Sequence, residues 1–185
     1  MKVALREYTD IKEIDHAIGL CWAAGDYSGD KARNRIQRVA LKNKHSSVLE
    51  FVEYTFDIEA STKVLLEMTR HRMASYAAQS SRYTLNKVDL VFESTGSETL
   101  DMLLDIHRQK ILELIESKEY TNDQLSLMLP QAYQYKWVAK FNARSLKNFF
   151  ELRRSKSAHF HIREIANKMY SSLPEEHKFI YKSKE

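Results

Sequence analysis

Two arginines flank a histidine at Arg70-His71-Arg72, and Ser80 follows after seven further residues. Successive side chains of a helix point about 100° apart, so these three cannot share one ion-pair partner on a helix face. Such a cluster suits an anion that is contacted from several sides, and Ser81-Arg82-Tyr83 extends the polar run. A simpler interpretation is that the cations stabilise the dipole at the C-terminus of a helix.

A second group of polar side chains lies in the run from Asn142 to Arg153, where Arg144 and Asn148 stand four residues apart. On a helix, residues at this spacing are neighbours on one face, with Phe149 and Phe150 on the adjoining face. A polar ligand contact beside apolar side chains is one interpretation of this pattern. A surface arginine whose stem covers apolar neighbours is the simpler interpretation, and the residues by themselves favour it.

A third segment, from His45 to Glu50, comes directly before a predicted strand. Ser47 and Glu50 have the spacing of a capping box, in which both side chains accept hydrogen bonds from backbone N–H groups at the start of a helix. A capped helix N-terminus is also an anion-binding site. The segment therefore predicts a helix start, a ligand contact, or both together.

The three segments together resemble the flavin-dependent thymidylate synthases. The signature of that family is Arg-His-Arg, seven residues of any kind, then Ser, which matches Arg70 to Ser80. The family also carries His-x-Ser/Thr-x-x-Glu, matched by His45 to Glu50, and Asn-x-Arg-Ser-Leu-x-Asn-Phe ending in Leu-Arg, matched by Asn142 to Arg153. The resemblance covers nearly the whole chain, so it implies a fold of the thymidylate synthase-complementing type.

The resemblance implies an enzyme that makes dTMP from dUMP with FAD as its cofactor. Methylenetetrahydrofolate would supply the one-carbon unit, NADPH would reduce the flavin, and the reduced flavin would deliver the hydride that completes the methyl group. This chemistry agrees with the absence of an evident catalytic cysteine in the sequence. Family members are homotetramers with sites shared between subunits, so a homotetramer is expected.

By the same resemblance, Arg153 is the catalytic residue and stabilises a uracil ring that is ionised at nitrogen 3. A guanidinium stays protonated and offers a planar fork of donors, so it favours an imide anion electrostatically but is a poor proton acceptor. Flavin contacts are implied for Ser47, Arg70, His71, Arg72, Asn142, Arg144 and Asn148, with His45 and Glu50 near the site. Nucleotide contacts are implied for Glu67, Arg70, Ala78, Gln79, Ser80, Ser81, Arg82, Ser126 and Arg153. No metal ligand is expected.

Several positions depart from the family pattern. Family members commonly have Asn-Glu at Ala77-Ala78, Gln at Glu67, Gly at Ser81, Arg at Ser126, and Gln and Glu at His159 and His161. A carboxylate that faces an anion is costly unless it is protonated or paired. The changes predict a divergent branch with a rearranged nucleotide site, in which Lys87, Lys136 or a nearby arginine substitutes for the missing arginine. They also leave a second function open, a related flavoenzyme that methylates or hydroxymethylates another pyrimidine nucleotide.

Composition predicts one globular domain spanning residues 1–185. The chain is 43% hydrophobic and 11% aromatic, which is enough for a buried core. The N-terminus has no apolar segment and charges interrupt every long apolar run, so neither a signal peptide nor a membrane span is expected. The single cysteine, Cys21, excludes an internal disulfide and a cysteine-based zinc cluster and fits the reducing cytoplasm, where we expect the protein.

Charge does not favour general nucleic-acid binding, because the net charge is only +4 and basic residues are interleaved with acidic ones. The four glycines form no phosphate-cradling loop, so side chains must do more of the holding if a nucleotide binds. A non-enzymatic nucleic-acid-binding module is the alternative from a different class, based on the basic segment from Arg33 to Lys44 and the tyrosines. It predicts strongly salt-dependent polynucleotide binding and no bound flavin.

Hydrophobic spacing predicts an α/β (α+β) fold class, predominantly helical with a small sheet. Apolar residues from Ile11 to Trp22 recur at helical spacing and place Cys21 on a buried stripe. Asp30 is expected to cap a second helix that runs to about Lys44. The exposed basic face of that helix would comprise Arg33, Arg35, Arg38, Lys42 and Lys44.

Strict alternation from Val52 to Glu59 predicts a strand with one buried face. Ser61 begins the helix that leads into Arg70, and an irregular stretch continues from there to Tyr83. The remaining predicted helices run from about Leu100 to Lys118, from Thr121 to Pro130, from Gln131 to Arg154 and from Ser157 to Ser172.

Overall fold

An antiparallel sheet of four strands forms the centre of the computed structural model, which describes residues 1–182. The strands are β1 (Lys2–Tyr8), β2 (Glu53–Ser61), β3 (Ala74–Ala78) and β4 (Gln134–Asn142), in the order β1-β2-β4-β3. All three neighbouring pairs are antiparallel. Residues 183–185 of the predicted domain lie outside the described residues.

Helices account for most of the remaining described residues and confirm the predicted fold class. The α-helices are α1 (Lys12–Cys21), α2 (Gly29–Ile36), α3 (Thr62–Met68), α4 (Ser81–Thr84), α5 (Glu98–Ser117), α6 (Asn122–Ser126), α7 (Ala143–Arg153) and α8 (Phe160–Ser172). A π-helix spans Gln37–Lys42, and 3₁₀ helices span Ser46–Phe51 and Glu175–Tyr181. Within residues 1–182, no helix combines the length and the apolar character that a membrane crossing needs.

The main hydrophobic core lies between one face of the sheet and helices α7 and α8. Tyr54, Phe56 and Ile58 alternate along β2 and are buried, as the alternating pattern predicted. Phe149 on α7 and Ile165 on α8 are fully buried against the same cluster. Burial of these side chains fixes how α7 lies over the sheet.

The prediction of one helix from Gln131 to Arg154 was wrong. Trp137, Ala139 and Phe141 are buried at every second position, so residues 134–142 form strand β4 and only Ala143–Arg153 form a helix. A short apolar run fits either structure by periodicity alone. Pairing with β2 along nine consecutive positions, from Glu53↔Asn142 to Ser61↔Gln134, decides for the strand.

Strands β1 and β3 were not predicted, and β3 falls in the stretch expected to be irregular. Both are the edge strands of the sheet, each with a single partner. Most β1 and β3 residues are exposed or half-buried. An edge strand with little burial carries a weak alternating pattern, so its partner rather than its own sequence defines it.

Two predictions for the N-terminal helices were also wrong. Cys21 is exposed at the end of α1 rather than buried. Asp30 is not the cap of the second helix, since α2 begins at Gly29 after Ser28, which makes no side-chain cap hydrogen bond.

Arg35 is buried rather than part of an exposed basic face, and it forms an ion pair with Asp15 of α1. The side chains are only 4% and 1% exposed. The Arg35 Nε–H donates to Asp15 Oδ1 at 2.6 Å, and Nη2 donates to the Asp15 carbonyl oxygen at 2.8 Å. Tyr27 closes the site, because its ring lies 4.3 Å from the guanidinium and its backbone N–H donates to the Asp15 carboxylate. The pair therefore joins α1 to α2.

The substitution Arg35→Ala should lower the free energy of unfolding by about 3–5 kcal/mol, because it leaves the Asp15 carboxylate buried without its counterion. Urea denaturation measures the change. Arg38→Ala is the matched control, because Arg38 is exposed. This change should alter the free energy of unfolding by less than about 0.5 kcal/mol. Equal effects of the two changes would contradict a structural role for the buried pair.

Candidate active site

An open cleft of about 560 Å³ lies between the chain that follows α3 and one face of α7, from the start of this helix to its end. All three segments singled out in the sequence contribute side chains to it. The lining residues are Glu50, Arg70, His71, Arg72, Met73, Asn142, Arg144, Ser145, Asn148, Leu152 and Arg153. Four arginines against one carboxylate among these lining residues make the cleft cationic.

The N-terminus of α7 opens into this cleft. Asn142 ends β4 in an extended conformation, and its Oδ1 accepts a hydrogen bond from the Ser145 backbone N–H at 2.8 Å, which caps the helix. The Ala143 N–H is bonded to the carbonyl oxygen of Val52 at 2.7 Å. The positive end of the α7 dipole thus adds to the arginines lining the cleft and favours an anionic ligand.

Glu50 lies in this cleft as the ion-pair partner of Arg144. The Arg144 Nη1 donates to Glu50 Oε1 at 2.7 Å, and both side chains are about half exposed at 53% and 45%. The predicted capping box does not form, because the 3₁₀ helix Ser46–Phe51 has no side-chain cap hydrogen bond. Ser47 and His45 are exposed at the start of this 3₁₀ helix, and neither lines the cleft.

Arg153, at the end of α7, joins the two signature segments through hydrogen bonds. Its Nε–H donates to His71 Nε2 at 3.1 Å. Its Nη1 donates to Glu67 Oε2 at 2.7 Å, and its Nη2 donates to the backbone carbonyl oxygen of Glu67 at 3.0 Å. That carbonyl belongs to the last turn of α3, where such groups have no partner within the helix. The guanidinium side chain is 17% exposed, so it is held firmly while still reaching the cleft.

His71 is a neutral acceptor in this arrangement. Because Arg153 donates to Nε2, that nitrogen carries no proton and the imidazole proton resides on Nδ1. Burial and the nearby charge of Arg153 lower the pKa of His71, while the charge of Glu67 opposes them. The ring is fixed by an edge-on contact with Phe149, at 5.0 Å between ring centres.

Glu67, singled out in the sequence as a departure from the family pattern, is an ionised carboxylate with two cationic partners. Lys63 Nζ lies 3.4 Å from Oε1, while Arg153 takes Oε2. Burial acts to raise the pKa of Glu67, but the hydrogen bond from Lys63 and the charges of Arg153, Arg70 and Lys63 outweigh it, so the pKa lies below its usual value. The pairing removes the cost that an isolated carboxylate would carry here.

The remaining residues predicted to contact the nucleotide do not line this cleft. They lie at the end of β3, in the turn that follows it, and on the helices α4 and α6, which pack together. These residues are Ala78, Gln79, Ser80, Ser81, Arg82 and Ser126. Arg82 Nε lies 3.3 Å from Asp123 Oδ1, and Ser126 Oγ donates to the carbonyl oxygen of Asp123 at 2.8 Å. A single chain therefore presents two separate groups of predicted ligand contacts.

Neither of the two lysines proposed as substitutes for the missing arginine lines the cleft. Lys136 lies on β4 with its Nζ 3.6 Å from Glu59, and Lys87 is exposed in the turn after α4. Sequence reasoning missed Lys63, although a lysine four residues before Glu67 on a predicted helix is a recognisable signal of contact.

Comparisons with known proteins match this chain over nearly its full length. The family described as "Thymidylate synthase complementing protein" matches residues 4–177. The flavin-dependent thymidylate synthase of Wolinella succinogenes is 35% identical over 98% of this chain and 97% of its own length, and that of Campylobacter jejuni is 37% identical over 98% and 96%. The chain belongs to the flavin-dependent thymidylate synthase family.

A solved structure supports the family assignment. The Helicobacter pylori flavin-dependent thymidylate synthase, complexed with FAD and dUMP, superposes with a TM-score of 0.90 at 31% identity over 98% of each chain. The resemblance found in the sequence is thereby confirmed, and the chain is an enzyme of this family. The alternative of a non-enzymatic nucleic-acid-binding module is excluded, while the roles of individual residues stay predictions.

The hydrogen bond from Arg153 predicts the tautomer of His71 in solution. Long-range ¹H–¹⁵N NMR should find Nε2 unprotonated at neutral pH, and the ring should remain neutral to a pH below the usual histidine range, because burial and Arg153 lower its pKa. Arg153→Met should raise the pKa of His71, since one of these two causes is removed. A proton on Nε2 at neutral pH would show that the bond to Arg153 does not form.

Proposed function

We propose that this enzyme makes dTMP from dUMP, with FAD as cofactor, methylenetetrahydrofolate as one-carbon donor and NADPH as reductant. The observation that carries the proposal is the hydrogen bond from Arg153 to His71, which joins the two signature segments in one cationic cleft. The dUMP and FAD in the Helicobacter pylori relative support it.

The donors in this cleft fit the diphosphate of FAD. Arg70, Arg72 and Arg144 provide guanidinium groups, which form short charge-assisted hydrogen bonds with phosphate oxygens. The positive end of the α7 dipole adds to their attraction for an anion, and Asn148 adds a side-chain amide one turn after Arg144. Bound FAD would supply hydride chemistry that no protein side chain provides. We assign flavin contacts to these residues together with His71 and Asn142, and to Ser47 at the nearby 3₁₀ helix.

Arg153 acts on the uracil ring in this proposal. Three of its N–H groups are held by His71 and Glu67, so its orientation is fixed before substrate arrives. The remaining N–H groups stabilise a ring ionised at nitrogen 3. Ionisation there raises the electron density at ring carbon 5, which then attacks the one-carbon unit without help from an enzyme nucleophile.

We propose that the site is completed between subunits of a homotetramer. Ser81, Arg82 and their neighbours near α4 and α6 would reach the nucleotide of another copy, since they do not line the cleft of their own chain. An exposed apolar stripe on α5 supports contact between copies, with Leu100, Met102, Leu103 and Ile106 between 51% and 64% exposed. We place the enzyme in the cytoplasm, which suits its single exposed cysteine.

A second candidate function is alkylation of a different pyrimidine nucleotide. Glu67 supports it, because a carboxylate bonded to Arg153 reduces the positive charge that the guanidinium presents to a bound base, whereas a neutral amide would not. Ser126 supports it as well, since a hydroxyl bonded to a backbone carbonyl oxygen stands where an arginine is common in the family.

Mass spectrometry of the nucleotide product distinguishes the two functions. Purified protein incubated with FAD, NADPH, methylenetetrahydrofolate and dUMP should yield dTMP, with a mass gain of one methylene group. Unchanged dUMP from a preparation that retains flavin would refute the first function. Parallel reactions with UMP and dCMP would then identify the acceptor.

The substitution Arg153→Lys should leave the protein folded and flavin-bound but lower turnover by about 100-fold, as expected when a fixed donor to a developing anion is lost. A lysine ammonium cannot bond Glu67, His71 and the imide in one plane. Steady-state kinetics measure the change. Arg154→Lys, next along the chain and bonded to Asn167, is the matched control and should keep nearly full turnover. Turnover near normal in Arg153→Lys would remove Arg153 from the chemistry.

A further inference from the structure

Lys63 lies outside the cleft but is connected to Arg153 through Glu67. An arginine side chain has five N–H groups, and Arg153 uses one each on Nε, Nη1 and Nη2 for His71 and Glu67. One hydrogen on each terminal nitrogen is left over for a ligand. The interaction with Glu67 therefore sets the orientation of the Arg153 guanidinium. It also sets how much positive charge this guanidinium presents to a ligand.

Glu67 divides its charge between two cations. Its Oε2 is 2.7 Å from Arg153 Nη1 and its Oε1 is 3.4 Å from Lys63 Nζ. If Lys63 were absent, the carboxylate would have Arg153 as its only close ion-pair partner among the described residues. The group formed by Lys63, Glu67 and Arg153 would then lose its net positive charge, and its attraction for a substrate anion would be weaker.

Helix stability does not explain Lys63. It is the second residue of α3, where a cation opposes the positive end of the helix dipole. A lysine four residues before a glutamate is also the less favourable order of the two for a helical ion pair. The lysine side chain is 35% exposed and the glutamate only 13%, so Lys63 extends over the helix to reach a largely buried partner.

We propose that Lys63 is a positioning residue for Arg153, acting through Glu67: it neutralises part of the carboxylate charge, so that Glu67 orients the guanidinium and leaves it cationic enough to stabilise the uracil imide anion. This inference rests on the proposed function for its ligand. It assigns to Lys63 a role that does not require contact with substrate or cofactor.

Charged and titratable groups from several elements face Glu67. Lys63 comes from α3, Arg70 and His71 from the segment after α3, Arg153 from α7, and His159 from the start of α8. Burial, His161 and Lys63 lower the pKa of His159, while Glu67 opposes them, so the ring is mostly neutral at neutral pH. Arg153 and Lys63 are thus the cations in direct contact with the carboxylate. Removing Lys63 should raise the pKa of Glu67 and of the bound uracil imide.

Four variants test the coupling: Lys63→Met, Lys63→Arg, Glu67→Gln and the double variant Lys63→Met/Glu67→Gln. Lys147→Met is the matched control, because Lys147 forms a similar pair four residues before Glu151 on α7, outside the cleft. Circular dichroism establishes that each variant is folded.

The first readout needs no ligand. The carboxyl carbon of Glu67 is followed by ¹³C NMR against pH and assigned by its absence in Glu67→Gln. Lys63→Met should raise the pKa of Glu67 by about one pH unit, since an opposite charge within about 4–6 Å lowers a carboxyl pKa by at least that much. Lys63→Arg should keep it low. An unchanged pKa in Lys63→Met would overturn the inference.

The second readout is the ionisation of nitrogen 3 in 5-fluoro-dUMP bound to the FAD-loaded enzyme. The ¹⁹F chemical shift of the ring fluorine reports this ionisation as the pH is varied. Lys63→Met should raise the pKa of the imide by about 0.5–1 unit, because a more nearly neutral Arg153–Glu67 pair stabilises the anion less. When Glu67 is already replaced by Gln, Lys63→Met should shift the pKa of the imide by less than half as much. Lys147→Met should not shift it.

Each outcome supports or overturns a defined statement. Equal shifts of the imide pKa in both backgrounds would mean that Lys63 acts directly as a distant charge, and the positioning role would be overturned. If 5-fluoro-dUMP does not bind to the wild-type enzyme, the proposed function fails, while the Glu67 titration still tests the link from Lys63 to Glu67.

Discussion

The register between β2 and β4 is the constraint on which the candidate site depends. The two antiparallel strands pair from Glu53↔Asn142 to Ser61↔Gln134, and each continues without a loop into a helix. Helices α3 and α7 therefore leave the sheet from opposite ends and run toward each other. At about 1.5 Å per residue, their seven and eleven residues span about 10 and 16 Å, so their C-terminal ends meet.

Arg153 and Glu67 form that meeting point. The arginine satisfies a carbonyl oxygen at the end of α3 and pairs with the adjacent carboxylate, so one side chain stabilises the helix end and reaches the cleft. A slip of one residue between β2 and β4 would turn the buried face of each strand outward and move Arg153 away from Glu67. The chemistry of the cleft is thus tied to the packing of Tyr54 and Phe141 in the core.

Only some of the arginines of the cleft are paired with a carboxylate among the described residues. Arg144 is partly neutralised by Glu50, and Arg153 by Glu67, whereas Arg70 and Arg72 have no ion-pair partner among the described residues. His71 adds no charge because its buried ring is neutral. The cleft consequently keeps a net positive charge, because its counterions neutralise the arginines only in part. An anionic ligand can balance the charge that remains.

The sequence by itself determined the family, the strand β2, the helices α3, α5 and α8, and the signature side chains of the cleft such as Arg70, His71 and Arg144, because motif spacing and strong periodicity are local properties. Only the tertiary structure decided that residues 134–142 are a strand, that Arg35 is buried against Asp15, and that Glu67 is shared between Lys63 and Arg153. Lys63 is 4 positions from Glu67 in the sequence, whereas Arg153 is 86 positions from it. Contacts between residues so far apart depend on which elements pack together. Periodicity describes one element at a time, so it carries no information about the partner that pairs a strand or neutralises a charge.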